Sequence, residues 1–279
     1  MLRFLATLAL TFLAATAIVL IARPALRAAI VAEWNDPANL PALQSDPRIH
    51  HEPSARECAE RVARLLPVAI TRIEGVHGRP FAQPPTIGVY ASFATYARAN
   101  GLGDAGVAGV TRAGRALLSP TLCGNESARL ESVLTHELSH VHFSGWRTRG
   151  SRLPPAWFAE GLAVMASDGG GAEGVSDEEA VRSIRSGVAI VPDDASWLDF
   201  SAIRFTREPV ASPDRDPMTY RQRLAFRQAG LFVSWLQRQE REAFRRLLRD
   251  LERGAAFETA FAGSFDERWQ NYWRRFIEE

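Results

Sequence analysis

The stretch Asn125 to Phe143 constrains the chain most, because it admits one secondary structure and exposes an unusual chemistry on it. Asn125 or Ser127 is available to cap a helix and Gly145 stands just beyond its far end. On a helical wheel Leu130, Leu134, Leu138 and Val141 fall on one apolar stripe. His136 and His140 share one flank of that stripe, about 6 Å apart along the axis, so two imidazoles can converge on one ion. Glu137 lies between that pair and the stripe, too far off to be the main ligand and near enough to reach a water beside the ion. With a zinc ion present, this H-E-x-x-H spacing covers three tasks: holding the metal, lowering the pKa of a water, and taking its proton.

A catalytic zinc takes three protein ligands. His142 projects roughly 200° around the wheel from His140 and cannot join the same site. Glu160 in Trp157-Phe158-Ala159-Glu160-Gly161 is the better candidate, since it sits among apolar neighbours where an unpaired charge is costly. Pro154 and Pro155 suit a helix start there, and Gly161 permits close approach of another helix.

HELSH followed by WFAEGLA resembles the gluzincin branch of the zincin metallopeptidases, the thermolysin-like group with its peptidase-MA-like members. The match is specific at Leu134 to His140 and Trp157 to Ala163 and loose elsewhere. The resemblance implies that His136, His140 and Glu160 are zinc ligands and Glu137 the general base. It implies an α+β zincin-like fold: a small twisted sheet before the motif helix, whose edge strand binds an extended peptide or protein substrate, and a helical C-terminal lobe. The edge strand is expected around Val110 to Ser119. Such enzymes place a Tyr or His to stabilise the oxyanion, just before an Arg-Gln pair in the C-terminal lobe. This chain offers Tyr220-Arg221-Gln222 and Phe226-Arg227-Gln228, so Tyr220 is a candidate in one register and an ordinary helix residue in the other. A catalytically inactive zincin-like peptide-binding or scaffold protein is the alternative.

The rest of the sequence sets the context. Phe4 to Ala22 is a nearly uninterrupted apolar run between Arg3 and the pair Arg23 and Arg27. As a helix it spans roughly 28 Å, close to a bilayer's hydrocarbon thickness, which favours an uncleaved anchor. Ala15-Thr16-Ala17 leaves cleavage as a signal peptide, and a secreted product, as the alternative. The expected organisation is a membrane segment over 1–32, a Pro-rich linker over 33–53, and one metallopeptidase domain over 54–279, on the extracytoplasmic side. In such a compartment Cys58 and Cys123 can form a single disulfide, with two buried thiols as the alternative.

Helices are expected over 54–73, ending or kinking near Pro67, over 93–99, over 177–186, and from Met218 onward with breaks near Gly254 and Gly263. A strand is expected at Thr86 to Ala91 and an edge strand at Gly114 to Ser119. Gly101-Leu102-Gly103-Asp104-Ala105-Gly106 matches the dinucleotide fingerprint in letters alone: it follows a helix instead of a strand, and reads as a loop. A net charge of +1 gives no field to recruit nucleic acid. All 33 basic residues are arginines, so mechanisms needing a lysine amine are excluded. Arg238, Arg241, Arg245, Arg246 and Arg249 read as a solvated helix face.

Overall fold

The computed structural model describes residues 22–190, 210, 212 and 214–279. Its architecture is α+β, a small mixed five-stranded sheet followed by a set of helices. The sheet has the order β1 (Ala42–Leu43), β2 (Asp46–His51), β3 (Thr86–Val89), β5 (Arg115–Leu118), β4 (Gly109–Arg112). β2, β3 and β5 run parallel, while β1 and β4 pair antiparallel at the two edges. The helices are α1 (Pro24–Glu33), α2 (Arg56–His77), α3 (Phe93–Ala99), α4 (Leu130–Trp146), α5 (Ala156–Ala166), α6 (Asp177–Arg185), α7 (Pro217–Gln239), α8 (Arg241–Glu252), α9 (Phe257–Phe265) and α10 (Trp269–Glu278).

Two cores meet at α4. On the sheet side, Ile49, Ile87, Val89, Ala116 and Leu118 pack against Val62, Leu66 and Ile73 of α2 and against the α4 stripe of Leu130, Leu134, Leu138 and Val141. On the other side an aromatic core of Trp157, Phe158, Phe232, Phe244, Phe257 and Phe261 holds α5 to α7, α8 and α9, and Phe143 of α4 belongs to it. α4 is therefore walled in by apolar side chains on two fronts, and its flank residues are fixed in direction. Gly161 of α5 and Gly230 of α7 let those helices touch closely: a Cβ at Gly161 would lie 2.6 Å from the Ala229 carbonyl oxygen, and one at Gly230 would lie 2.5 Å from Val164.

Several expectations are corrected here. The stretch 33–53 is not a linker, because it contributes β1 and β2 to the sheet, and the folded domain begins before Ser54. Its Pro37 is buried, and a Cβ at Gly88 of β3 would lie 2.7 Å from the Pro37 ring. Glu52 then accepts from the amides of Ala91 and Ser92, at 2.7 and 2.8 Å, and from the Thr95 hydroxyl at the start of α3. α2 runs on to His77, with Pro67 on its exposed face, where a missing amide donor is tolerated. The motif helix begins at Leu130 without a side-chain cap and includes Gly145. β5 is interior, so the strand at Gly114 to Ser119 is not the edge; that place belongs to β4, joined to β5 through a tight turn with positive φ at Ala113 and Gly114. The final helices break at Glu240, around Gly254 and at Asp266, and Gly263 lies inside α9.

Among the described residues no helix is long and apolar enough to cross a membrane. The apolar run from Phe4 lies, up to residue 21, outside them.

A disulfide joins Cys58 of α2 to Cys123, seven residues before α4, with 5.3 Å between the Cα atoms. It closes a separation of 65 residues. By loop-closure entropy, a bridge of that span stabilises by about 4 kcal/mol. Replacing both cysteines by serine is expected to lower the thermal unfolding midpoint by many degrees in calorimetry, whereas an unshifted midpoint would show the bond to be dispensable.

Candidate metal centre

α4 directs His136 and His140 to the same side, towards α5, which carries Glu160. The three side chains form the one group of this kind among the described residues that could hold a metal ion. His136 Nε2 lies 3.1 Å from His140 Nε2 and 3.1 Å from Glu160 Oε2, and His140 Nε2 lies 3.4 Å from the same oxygen. The imidazoles meet edge to face, with centroids 4.8 Å apart.

His136 is oriented by a contact that residue types alone do not announce. Its Nδ1 donates to the Gly170 carbonyl at 2.8 Å. That leaves a lone pair on Nε2 of the neutral ring, facing a carboxylate oxygen that can only accept. Two acceptors 3.1 Å apart call for a positive charge, a proton or a metal cation, between them. The Gly170 carbonyl reaches the ring because the loop from Gly169 to Gly174 lies against α4: a Cβ at Gly170 would stand 2.4 Å from the Ser132 carbonyl oxygen, and one at Gly171 3.1 Å from the His136 ring. The loop is tied down by Ser167, whose hydroxyl accepts from the Gly170 amide at 2.9 Å, and by Glu173, which bonds Ser132 and Arg129 at 3.0 Å each.

The electrostatics of the cluster agree with its geometry. Burial by itself lowers the His140 pKa, but the Glu160 charge, its hydrogen bond and the Glu137 charge outweigh burial and push it up to about 9. Burial by itself raises Glu160, and the charge of His140 with the close approach of both imidazoles holds the carboxyl far below its usual range instead.

Glu137, also buried, points from α4 to the edge strand. The Thr111 hydroxyl of β4 lies 2.7 Å from Glu137 Oε2 and 2.8 Å from its main-chain oxygen. Gly109 makes the approach possible, since a Cβ there would sit 2.8 Å from the Glu137 side chain and 2.7 Å from Val133. The base candidate is thus placed at the boundary between the edge strand and the His–Glu cluster.

His142 points elsewhere, as the wheel implies: it is buried against His77, with centroids 4.2 Å apart, and bonds the carbonyls of Arg79 and Pro80 at 3.0 and 3.1 Å. His77 in turn pairs with Ser139 at 2.9 Å, a further tie between α2 and α4. Tyr220 is not brought to the cluster. Its hydroxyl pairs with Glu179 of α6, and the Arg215 guanidinium lies 4.9 Å from its ring. On α7, the Phe226 ring lies 6.4 Å from that of His136.

Comparison with protein-family models, with curated proteins and with solved structures finds no match for this chain.

The paired shifts fix a pH dependence for the metal-free protein. His140 is raised, so its contribution to stability is complete below about 6.5 and is lost as pH rises through about 9. Glu160 is depressed, so its contribution is present above about 4.5 and is lost as pH falls below that. In chelator-treated protein the unfolding midpoint is expected to decline between pH 6.5 and 9, and His140→Gln is expected to flatten that decline. The same slope in the variant as in the parent would argue against the pairing.

Proposed function

We propose that this chain is a membrane-tethered, extracytoplasmic zinc metallopeptidase of gluzincin type, with a zincin-like fold. The observation that carries the reading is the convergence of His136, His140 and Glu160 with Glu137 beside them. The fit to zinc can be tested on the three donor atoms. Ligand atoms held tetrahedrally at about 2.0–2.1 Å from a common zinc stand about 3.3 Å from one another. The separations of 3.1, 3.1 and 3.4 Å match that spacing. Two imidazoles and one carboxylate are also a donor set that suits zinc.

Bound there, zinc supplies Lewis acidity towards a water and a carbonyl oxygen. The chain's own residues supply the rest. Glu137 takes the proton of the attacking water at a carboxylate oxygen and passes it to the leaving amine nitrogen. Thr111 holds that carboxylate in place from the edge strand. β4, which among the described residues pairs on one side only, can hold an extended peptide through main-chain hydrogen bonds beside Glu137. Gly170 fixes the proton of His136 on Nδ1 and leaves Nε2 free to ligate.

One observation favours the second reading, a non-catalytic peptide-binding protein: Phe226, which carries no donor for an oxyanion, occupies the α7 position that faces His136. Glu137→Gln separates the two. In a peptidase it is expected to abolish chelator-sensitive peptide cleavage by about two to four orders of magnitude while leaving zinc content, measured by mass spectrometry, unchanged. A protein that binds no zinc, or that cleaves nothing with zinc bound, sinks the peptidase reading. Gly170→Ala, which drives a methyl into the Ser132 carbonyl, is expected to weaken zinc binding by roughly 10- to 100-fold in competition with a chromophoric chelator, without touching a ligand.

A further inference from the structure

α1 has an outer and an inner side with different partners. Leu26, Ile30 and Trp34 recur every four residues and so share one side of the helix. They are 45%, 43% and 82% exposed, and Arg23 and Arg27 beside them are exposed too. The opposite side is alanine: Ala28, Ala29 and Ala32. That side rests on the glycine loop that mimics a dinucleotide fingerprint. Gly101 and Gly103 both have positive φ, and Cβ atoms on them would stand 3.8 Å from Ala32 and 3.3 Å from Ala28. The glycines thus seat a helix where a nucleotide motif would seat a phosphate.

The same inner side is bolted to the edge strand. Arg112, the last residue of β4, donates to the carbonyl oxygens of Ala32 at 3.2 Å and Ala29 at 3.4 Å, and pairs with Glu33. It therefore sits at the carbonyl end of α1, the negative pole of its dipole. Arg115 at the start of β5 pairs with Asp36, three residues beyond α1, at 3.0 Å.

We propose that α1 is an interfacial helix whose Leu26, Ile30 and Trp34 stripe lies in the headgroup region of a lipid bilayer, and that it holds β4 against that bilayer, so that the substrate is a polypeptide presented at a membrane surface. Three observations choose lipid as the occupant of the stripe. The apolar run Phe4 to Ala22 leads directly into α1, with no room for a spacer. Trp34 at the far end is the residue type that anchors at the membrane–water boundary. Arg23 and Arg27 complement anionic headgroups. The end of β4 then stands about one helix diameter, roughly 10 Å, from the lipid. The substrate half of this proposal rests on the peptidase reading above; the seating of α1 does not.

The test uses the full chain in vesicles of phosphatidylcholine and phosphatidylglycerol. Nitroxide labels are placed by Leu26→Cys, Ile30→Cys and Trp34→Cys, with Val68→Cys on α2, 62% exposed, as the aqueous reference. Depth is read from oxygen against nickel-chelate accessibility. A helix lying in the interface puts labels 26, 30 and 34 at a common lipid depth, with label 68 in water. A helix standing upright out of the bilayer carries position 34 about 12 Å further from the membrane than position 26. A steady fall in depth from 26 to 34, or labels immobilised without oxygen access, as burial against residues 1–21 or a second copy would give, overturns the seating.

The substrate half is read with one peptide, free or linked to a lipid anchor in the same vesicles. The variant Leu26→Ser, Ile30→Ser, Trp34→Ser is expected to cleave the free peptide within about twofold of the parent and the anchored one roughly tenfold more slowly. Equal rates on the anchored peptide overturn the substrate half. If the parent cleaves neither form, the peptidase reading has failed and with it the substrate half, while the label depths still decide the seating.

Discussion

Burying the Glu160 carboxylate against two imidazoles is the constraint around which the rest of this molecule is arranged. An unpaired carboxylate in such surroundings costs several kcal/mol, and the cost is removed when a cation stands among the three groups. Every nearby contact serves that condition. The leucine stripe of α4 turns both histidines to one side, the aromatic core fixes α5, and Gly161 lets α5 pack closely on α7. Gly170 settles which nitrogen of His136 carries a proton. A helix that was merely amphipathic would need none of these ties.

The edge strand is the second structural commitment. β4 lies between α4, through Gly109 and Thr111, and α1, through Arg112, so both of its ends are held by helices, and among the described residues only β5 pairs with it. An open edge is ordinarily an aggregation hazard. Here it is four residues long and ends in an ion-paired arginine, features that discourage promiscuous pairing.

Much of this was legible in the amino-acid order, for definite reasons. The spacing of Leu130, Leu134 and Leu138 against His136 and His140 reads on a wheel because a helix repeats strictly. Glu160 stands out because a charge among Trp157, Phe158 and Leu162 needs a partner. Gly170 and Thr111 were not legible. A backbone carbonyl acceptor has no residue type of its own, and Thr111 meets Glu137 across 26 residues by sheet geometry alone. The glycine run Gly169-Gly170-Gly171 was the one available signal, since three successive residues without Cβ atoms mark a place where backbone must come close to something. β1 and β2 are masked in the sequence because prolines and adjacent histidines hide the alternation of Ile49 and His51, the two buried positions of β2. The edge moved from Gly114–Ser119 to β4 because strand order depends on pairings between distant segments, and neither strand's composition records its neighbours.

The disulfide has a consequence for how the molecule comes together. Cys58 and Cys123 both precede α4, and the bond binds α2 to the segment that follows β5. Under oxidising conditions the crosslink can therefore close once residues up to 123 are free to pair, before His136 or His140 has been placed. A half-finished chain would already own a locked sheet and a waiting groove for the leucines of α4. The helices after α4 would then assemble upon a template whose shape no longer changes, and His136, His140 and Glu160 would be drawn together last.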